Sequence, residues 1–375
     1  MESRPWPGVG AACATLRRAD FAQLPGFDGE TFGAAFRAFQ ASALALEQHV
    51  PAGRPGVEAE AALRAAGVCA LQHRAAVSEA EARGFFMQHF VPWRIDPRGA
   101  PGFVTGYYEP ELDAARERSG TFTAPVPSRP ADLVTFAPGQ TPAPLDASLA
   151  AARRLPDGTF APYDTRAQID AQAPQGAQPL AWLRDSVELF LVQVQGSARL
   201  RLPGGQVLRL GYAGRNGHPY VSIGRWLINA GAIAEADMSL ARLKQWLRAQ
   251  PDGGRSVMAR NPSYVFFTVL EGLDPLRGPL AAASVQLAAL CSIAVDRTLW
   301  PYGLPFWLDA RLPWAGEAAT PFQQLMIAQD TGSAIVGPAR ADIFFGMGDA
   351  AGLRAGAIRH AASMHVLLPK AQAAA

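Results

Sequence analysis

Apolar residues near the N-terminus recur at the spacing of an amphipathic helix. In residues 27–49, aromatic and aliphatic side chains return every three or four positions, which places them on one face of a helix. Asp28 is expected to cap this helix. A second helix is predicted from Ser78, where Ser-Glu-Ala-Glu forms a capping box, up to Pro92, which ends it. We therefore expect about the first hundred residues to be helical.

The pattern changes near residue 105. From there to about residue 267, short apolar alternations are divided by Gly and Pro, which is typical of β-structure. Residues 189–197 predict a strand that ends in amides and small residues, and residues 199–210 predict a hairpin that turns at Pro-Gly-Gly. A helix is predicted for residues 239–250. After Pro275 the pattern of short strands returns, and we find no internal repeat.

Length and composition predict a folded chain of two domains. The chain has 375 residues, 49% of them hydrophobic, which is ample for real cores. Its formal net charge is +2, with basic and acidic residues interspersed, so nucleic-acid binding is not indicated. No uninterrupted apolar run of about 18 residues occurs, so no membrane-spanning helix is predicted.

Metal and thiol chemistry are not indicated. Cys13, Cys69 and Cys291 lie far apart, without CxxC spacing or an adjacent histidine. A Cys13–Cys69 disulfide and free buried thiols both remain open. We expect neither a metal nor a cofactor, because the spacing of a metal motif is missing at His218, His360 and His365.

The N-terminal residues do not have the pattern of a signal peptide. They lack a basic region and an apolar region, so either the protein is cytoplasmic or a leader has been removed. Residues 10–13 have a faint likeness to a lipoprotein cleavage site. The missing apolar region before them favours an ordinary loop.

Three aspartates are the candidates for chemistry. Asp296, Asp330 and Asp342 each lie in a turn-rich, strand-like setting. Like charges held together in a partly dry cleft raise one another's pKa, so one carboxyl can stay protonated near neutral pH. Cleavage of a glycosidic or a peptide bond needs such an acid. The string Asp-Thr-Gly-Ser at Asp330 is also the signature of aspartic proteases, but their dyad needs two copies and the chain has one.

Six short motifs occur in a fixed order over nearly the whole chain. They lie at residues 105–110, 193–197, 211–217, 261–267, 292–297 and 330–342. Together they resemble the membrane-bound lytic murein transglycosylase A family, and the last part resembles the 3D domain, named for three aspartates. The resemblance implies a mainly β fold with N-terminal helices. In it a double-psi β-barrel domain, residues 1–104 plus 276–375, is interrupted by a smaller β-domain, residues 105–275, with the glycan in a groove between them.

The resemblance also implies a chemistry that needs one carboxyl. A peptidoglycan lytic exotransglycosylase cleaves the β-1,4 bond between N-acetylmuramic acid and N-acetylglucosamine and leaves 1,6-anhydromuramic acid. The muramoyl 6-hydroxyl attacks internally, and the effective molarity of well-oriented groups, on the order of 10⁵ M or more, removes the need for the second carboxylate of ordinary glycosidases. The residues themselves leave exo and endo action open.

Roles of individual residues follow from the same resemblance. Asp342 matches the catalytic aspartate and has apolar neighbours, while Asp330 would tune its pKa. Asp296 is expected to be structural, either paired with Arg297 or capping a turn. Substrate contacts are expected from Thr105, Gly106, Tyr107, Tyr108, Gln193, Gln195, Gly196, Ser197 and Asn216.

Two positions depart from the family pattern. Glu109 stands where Thr is common and would alter a saccharide contact or the charge of the groove, whereas Ser333 stands where Gly is common and keeps a small residue in the turn. The resemblance implies a monomer that binds peptidoglycan strands in the periplasm at the outer membrane, with cell-wall synthesis or divisome proteins as candidate partners. A non-catalytic, expansin-like glycan-binding barrel and the aspartic protease remain the alternatives.

Overall fold

The structure is a computed structural model that describes residues 3–4, 13–29, 32–73, 76–137, 139–172 and 176–370. In these ranges the α-helices are α1 (Phe32–Glu47), α2 (Ala61–Leu71), α3 (Glu79–His89), α4 (Arg166–Gln172), α5 (Ser186–Gln195), α6 (Ile223–Asn229), α7 (Leu240–Arg248), α8 (Arg255–Met258) and α9 (Gly348–Gly356).

The strands of the described residues carry most of the fold. They are β1 (Ser3–Arg4), β2 (Ala14–Arg18), β3 (Phe90–Pro97), β4 (Phe103–Glu109), β5 (Glu111–Asp113), β6 (Ala124–Pro127), β7 (Leu133–Thr135), β8 (Ala151–Arg154), β9 (Phe160–Ala161), β10 (Pro179–Leu183), β11 (Ala198–Arg201), β12 (Val207–Arg215), β13 (Val265–Leu270), β14 (Ser292–Ala294), β15 (Pro305–Leu312), β16 (Thr320–Asp330), β17 (Arg340–Met347) and β18 (Arg359–Pro369).

Two compact units form from interleaved parts of the chain. The first contains the described residues up to Tyr108, then Pro275–Gly346, and those from Arg354 onward. The second contains Glu109–Asp274 and Met347–Leu353. No helix of the described residues is both long and apolar enough to cross a membrane.

Six strands of the first unit close into a barrel. Around the barrel their order is β4, β18, β15, β16, β14 and β17, and β17 is bonded back to β4. Strands β3, β2 and β1 continue the sheet outward from β18. The largest buried side chains of this unit are aromatic, including Trp300, Phe306 and Trp307. The mainly β fold is confirmed, and the closed barrel is what the resemblance implies.

The N-terminal helices use the apolar face that the sequence predicts. Phe32, Phe36, Phe39 and Ala43 of α1 are all buried. The helix begins at Phe32 rather than near Asp28. The predicted capping box is confirmed at the start of α3: the Ser78 hydroxyl accepts from the Glu81 backbone N–H, while the Glu81 carboxylate accepts from the Ser78 backbone N–H.

The expectation that the first hundred residues are helical is wrong. Strand β2 precedes α1, and α3 ends at His89, where β3 begins. The residues of β3 alternate, with Trp93 and Ile95 buried and Arg94 exposed, and Pro92 lies opposite Leu367 of β18. Pairing with a strand that lies far along the sequence therefore decides the conformation of this segment.

The second unit contains a four-stranded sheet in the order β13, β12, β11 and β5. The predicted hairpin is confirmed, with Leu200 opposite Leu208 and Arg199 opposite Arg209. Helices α4 to α8 also lie in this unit, and α7 confirms the helix predicted at residues 239–250.

The strand predicted at residues 189–197 is wrong, because this segment forms α5. Asp185 caps the helix by accepting from the Glu188 N–H, and Gly196 ends it in the left-handed region at φ 80°. Leu189, Phe190 and Val192 are buried on more than one side of the helix. Such a short apolar run has no useful periodicity, so the sequence does not separate a buried helix from a buried strand.

Candidate active site

Strand β14 lies between the two strands that carry the candidate acids. Ala294 of β14 is the register partner of Asp330 at the end of β16 and also of Asp342 in β17. Since neighbouring strands lie about 4.8 Å apart, the backbones of the two aspartates are roughly 10 Å apart. Strand β4 lies on the other side of β17 and brings Thr105 and Tyr107 to the site.

One oxygen of Asp342 is held by a short chain of hydrogen bonds. The Thr105 hydroxyl donates to Asp342 Oδ1 at 2.5 Å, and Arg340 Nη2 donates to Thr105 Oγ1 at 2.7 Å. Asp342 Oδ2 has no hydrogen-bond partner among the described residues, and the side chain is only partly exposed. The carboxyl therefore keeps one oxygen fixed and one available to a ligand.

Burial gives Asp342 the protonation behaviour of an acid catalyst. Loss of hydration raises its pKa from 3.8 to about 6, against the lowering effects of the Arg340 charge and the Thr105 hydrogen bond. The negative charge of Asp330 raises the pKa further, as the smallest of these effects. Near neutral pH such a carboxyl exists in both forms, so it can deliver a proton and later take one back.

Asp330 is engaged by three donors. Arg54 Nη2 lies 2.6 Å from Oδ1, the Ala282 backbone N–H donates to the same oxygen at 3.1 Å, and the Tyr107 hydroxyl donates to Oδ2 at 3.1 Å. Burial, followed by the charges of the two aspartates, raises the pKa of Tyr107 well above its usual value, so this phenol keeps its proton. These contacts fit a positioning role for Asp330.

The arrangement does not match an aspartic protease dyad. A dyad requires two carboxyl groups close enough to share one proton. Here Asp330 is bound to Arg54 and Tyr107, and a whole strand separates its backbone from that of Asp342. The Asp-Thr-Gly-Ser string at Asp330 is therefore not part of an aspartic protease dyad.

Asp296 has the contacts of a turn cap. Its Oδ1 accepts from the Thr298 backbone N–H at 3.0 Å and from the Thr298 hydroxyl at 2.6 Å, while Oδ2 accepts from the Gly337 N–H at 2.8 Å. The Trp300 N–H donates to the Asp296 backbone carbonyl. Of the two structural roles left open by the sequence, these contacts correspond to the capping of a turn.

Several residues expected to contact substrate lie inside the second unit. Gln193 accepts from Arg166 Nη1 at 2.7 Å and donates to the Val265 carbonyl at 2.9 Å. The Asn216 amide donates to the carbonyls of Asp164 and Pro262, both at 2.8 Å. Gln193 is 4% exposed and Asn216 is fully buried, so both side chains are used in internal hydrogen bonds.

The other predicted contact residues differ in how accessible they are. Tyr108 and Ser197 are buried, whereas Gln195 is partly exposed at the end of α5, just before Gly196. Gly106 is required by packing, because a Cβ there would lie 2.8 Å from the Ala355 Cα atom and 2.9 Å from the Phe345 ring. Of the predicted set, Thr105 and Tyr107 are the residues that the structure brings to the aspartates.

Two arginines of the site were missed by the sequence analysis. Arg340 lies two residues before Asp342 on β17, so the two side chains share a face of the strand, and this spacing was a usable signal. Arg54 gave no such signal, because 276 residues separate it from Asp330.

Glu109 forms a buried ion cluster in the second unit. Its carboxylate is fully buried and accepts from Arg199 Nε at 2.8 Å and from Arg209 Nε at 3.2 Å. Burial is the largest influence on the pKa of both Glu109 and Arg209. It raises the pKa of Glu109 and lowers that of Arg209, and the contacts between the two side chains oppose these shifts. The Glu109 carboxylate, which departs from the family pattern, is therefore paired with two arginines of the hairpin.

Cys13, Cys69 and Cys291 are all free thiols, and burial raises the pKa of Cys291 to about 11. Across the ranges that the structure describes, no three His, Cys, Asp or Glu residues are grouped closely enough to hold a metal ion.

Comparisons with known proteins match two parts of the chain to family models. Residues 103–268 match the model of the MltA specific insert domain, and residues 291–368 match that of the 3D domain. The membrane-bound lytic murein transglycosylase A of Escherichia coli (strain K12) is 32% identical over 283 residues, which are 73% of this chain and 68% of that protein.

Solved structures extend the similarity to nearly the whole chain. A membrane-bound lytic murein transglycosylase from Agrobacterium tumefaciens is 36% identical, with a TM-score of 0.84 over 94% of this chain and 97% of that one. The E. coli MltA structure with bound chitohexaose is 25% identical, with a TM-score of 0.64 and 95% coverage of both chains. The ordered motifs, the closed barrel and these matches together show that the chain belongs to the membrane-bound lytic murein transglycosylase A family.

Proposed function

We propose that this protein is a lytic transglycosylase that cleaves the glycan strands of peptidoglycan, with Asp342 as its single acid/base. The observation that supports this role is the Asp342 carboxyl itself. It is partly buried, its pKa is raised to about 6, and one of its oxygens is left without a protein partner among the described residues. Membership of the family supports the reaction class.

The proposed reaction uses the two oxygens of Asp342 differently. Oδ1 keeps its hydrogen bond from the Thr105 hydroxyl. The proton on Oδ2 passes to the glycosidic oxygen as the bond between that oxygen and the muramoyl C1 breaks. The muramoyl 6-hydroxyl then bonds to C1, and its proton returns to Oδ2. The products are a shortened strand and a 1,6-anhydromuramoyl end. No water is consumed, and Asp342 recovers its proton.

A second catalytic carboxylate has no place in this scheme. The nearest candidate, Asp330, is bound by Arg54, Tyr107 and the backbone N–H of Ala282. Asp330 is instead proposed to hold the Tyr107 hydroxyl and to keep the pKa of Asp342 raised. The internal attack by the 6-hydroxyl makes a protein nucleophile unnecessary.

We propose that glycan contacts come from the accessible members of the predicted set. Three of them are partly exposed and carry polar groups: Thr105, Tyr107 and Gln195. The Tyr107 ring packs against that of Phe344, with 5.4 Å between the ring centroids. The E. coli relative binds chitohexaose, a chain of N-acetylglucosamine units, which supports a glycan as the ligand here. Tyr108, Gln193, Ser197 and Asn216 are buried, so their proposed part is to shape the segments that carry such contacts.

Digestion of purified murein tests the proposal. We expect muropeptides that are lighter by one water at the muramoyl end, measured by mass spectrometry. The rate should not change when a chelator is added, because the proposed chemistry uses one carboxyl and an internal hydroxyl. Products with only reducing muramic acid ends would contradict the lytic reaction, and an intact polymer with retained glycan binding would support the expansin-like alternative.

We infer that the protein acts at the cell envelope, where peptidoglycan lies. The relatives carry the name membrane-bound, which supports association with a membrane, and our finer proposal is the periplasmic side of the outer membrane. Fractionation of cells that express the full-length protein, with membrane and soluble fractions probed by antibody, tests the location. Recovery in the cytoplasmic fraction alone would contradict it.

A further inference from the structure

Four side chains of the first unit meet on one face of the neighbouring strands β4 and β17. Residues two apart along a strand share a face, so Arg340 lies beside Asp342 on β17, and Phe103 lies beside Thr105 on β4. The Arg340 guanidinium connects the two strands. It lies over the Phe103 ring, 5.5 Å from the centroid, and donates from Nη2 to Thr105 Oγ1 at 2.7 Å. Within the described structure, the hydrogen bonds of Arg340 therefore reach Asp342 through Thr105.

Three contacts hold the Arg340 side chain in one orientation. In addition to the Phe103 ring and the Thr105 hydroxyl, the Ala341 carbonyl accepts a hydrogen bond from Arg340 Nη1 at 2.5 Å. The side chain is partly buried, and burial lowers its pKa, but a guanidinium stays charged in proteins. The planar group stacks on an aromatic ring and donates in fixed directions. Arg340 therefore presents a fixed donor to Thr105.

The number of protons on each group determines the direction of these hydrogen bonds. A guanidinium can only donate, a carboxylate can only accept, and a threonine hydroxyl has one proton to give. Thr105 therefore accepts from Arg340 and gives its proton to Asp342 Oδ1, at 2.5 Å. If the carboxyl proton were on Oδ1, the Thr105 oxygen would accept from two donors, and its own proton would have to turn away from Asp342. The chain of donors thus favours Oδ2 as the oxygen that carries the proton.

We propose that Arg340 is a positioning residue for the acid/base step, and that it acts through the Thr105 hydroxyl to keep the proton of Asp342 on Oδ2. This inference rests on the proposed function, in which Oδ2 gives its proton to the glycosidic oxygen and later takes one from the 6-hydroxyl. A carboxyl that is fixed in this way has its reacting oxygen in place before the substrate binds, and such orientation lowers the barrier to reaction. Without Arg340 the Thr105 hydroxyl can rotate, and the proton can occupy either oxygen.

The charged groups around Asp342 give Arg340 a second effect. Burial raises the pKa of Asp342, the positive charge of Arg340 and the hydrogen bond from the threonine hydroxyl lower it, and the charge of Asp330 raises it. The Tyr107 phenol is uncharged because burial raises its pKa, and Arg54 is paired with Asp330. Loss of the Arg340 charge should therefore raise the pKa of Asp342 above its value of about 6. Activity on the alkaline side, where the acid loses its proton, should then persist to higher pH.

Substitutions that break the chain at two points test the proposal. Arg340→Gln and Thr105→Val should each lower kcat on solubilised glycan strands of murein about tenfold at the optimum pH, the usual effect of losing one charged hydrogen bond. The double variant should lose about as much as either single variant, because both changes break the same chain. Thr105→Ser keeps the hydroxyl and should stay within about twofold of the wild type.

Arg83→Gln is the matched control. Arg83 also lies over an aromatic ring in the first unit, that of Phe27, but its ion pair is with Asp28. This variant should change kcat less than about twofold, because an exposed ion pair contributes little and the chain to Asp342 is intact. Circular dichroism melts establish that the variants are folded. Arg340→Met, which keeps the apolar stem over Phe103, replaces Arg340→Gln if that variant does not fold.

Two further measurements separate positioning from a general loss of structure. The pKa of Asp342, followed by NMR of protein with labelled aspartate carboxyls, should rise in Arg340→Gln and return toward the wild-type value in Arg340→Lys, which restores the charge. The affinity of Arg340→Gln for chitohexaose and its KM should stay within about twofold of the wild type, because the change affects the reacting carboxyl and leaves the fold intact.

The outcomes distinguish the role of Arg340 from the proposed function. A wild-type protein that forms no 1,6-anhydro ends would contradict the proposed function, whereas the NMR measurement uses no murein and still reports on the chain to Asp342. Additive losses of kcat in the double variant, an unchanged pKa of Asp342 in Arg340→Gln, or an equal loss of kcat in Arg83→Gln would overturn the proposal.

Discussion

At the scale of single residues, the two oxygens of Asp342 have different surroundings, and the proposed chemistry uses this asymmetry. The Thr105 hydroxyl donates a hydrogen bond to Oδ1 and accepts one from Arg340. The sequence could indicate Asp342 and Asp330, because they sit in recognisable motifs. It could not indicate Arg54, whose contact with Asp330 depends on how distant segments meet.

Replacing Asp342 by Asn should abolish turnover while leaving the fold and glycan binding intact. The amide keeps the shape of the carboxyl but cannot deliver its proton, and general acid/base catalysis commonly contributes about 10²–10⁴-fold to a rate. Murein digestion gives the rate, chitohexaose titration gives the binding, and circular dichroism gives the fold. A folded variant with nearly the rate of the wild type would show that Asp342 is not the acid.

The same variant should be more stable than the wild type above about pH 6. Because the pKa of Asp342 rises from 3.8 to about 6 on folding, the folded state binds more protons than the unfolded state in that interval, and stability falls as pH rises through it. The cost reaches at most about 3 kcal/mol above the interval. Asn carries no such penalty, so the gain in melting temperature should appear at pH 7.5 and largely vanish at pH 4. An equal change at both pH values would contradict this origin.

Asp330→Asn should be milder in rate and should shift the pH optimum slightly downward. Removing the negative charge lowers the pKa of Asp342, but the effect of that charge on the pKa is smaller than those of burial, Arg340 and Thr105. The shift is measured in a pH–rate profile on murein. A larger loss of rate than in Asp342→Asn would mean that the two aspartates have the opposite roles.

At the scale of elements, the sequence was reliable where an amphipathic period or a turn motif is strong. The capping box of α3, the apolar face of α1 and the hairpin of β11 and β12 were all predicted. Strand β3 and helix α5 were not, because pairing with β18 and burial on several sides decide their conformations. Neither influence leaves a local signal in the sequence.

The buried Glu109 cluster gives a prediction about the sheet of the second unit. Glu109→Gln should lower the free energy of unfolding by about 3 kcal/mol, because Arg199 and Arg209 would stay buried without the carboxylate that both of them contact, and Glu111 lies farther away, at 3.8 Å from Arg199. Asp113→Asn is the control: its contacts with Arg184 and Arg201 are exposed, and such pairs contribute about 1 kcal/mol or less. Urea denaturation measures both. Equal effects would show that burial does not decide the contribution of these ion pairs.

At the scale of the whole molecule, the barrel is assembled from strands that lie far apart in the sequence. Strand β4 precedes residues 110–274 of the second unit, whereas β14 to β18 follow them, and β4 is hydrogen-bonded to both β17 and β18. The change near residue 105 from helical periodicity to short apolar alternations was consistent with this arrangement. Such a change does not reveal which strands pair. Closure of the sheet depends on contacts between residues more than two hundred positions apart.

This order of strands has a consequence for the protein while it is being synthesised. A ribosome makes β4 before β17, so Thr105 cannot meet Asp342 until β17 has emerged, and the sheet cannot close until β18 follows. An unfinished chain therefore has no assembled acid site, however well its earlier segments fold. Under the proposed mechanism, the capacity to cut a glycan strand arises only after β17 has been made, so a fragment released before that point would be inert toward the wall.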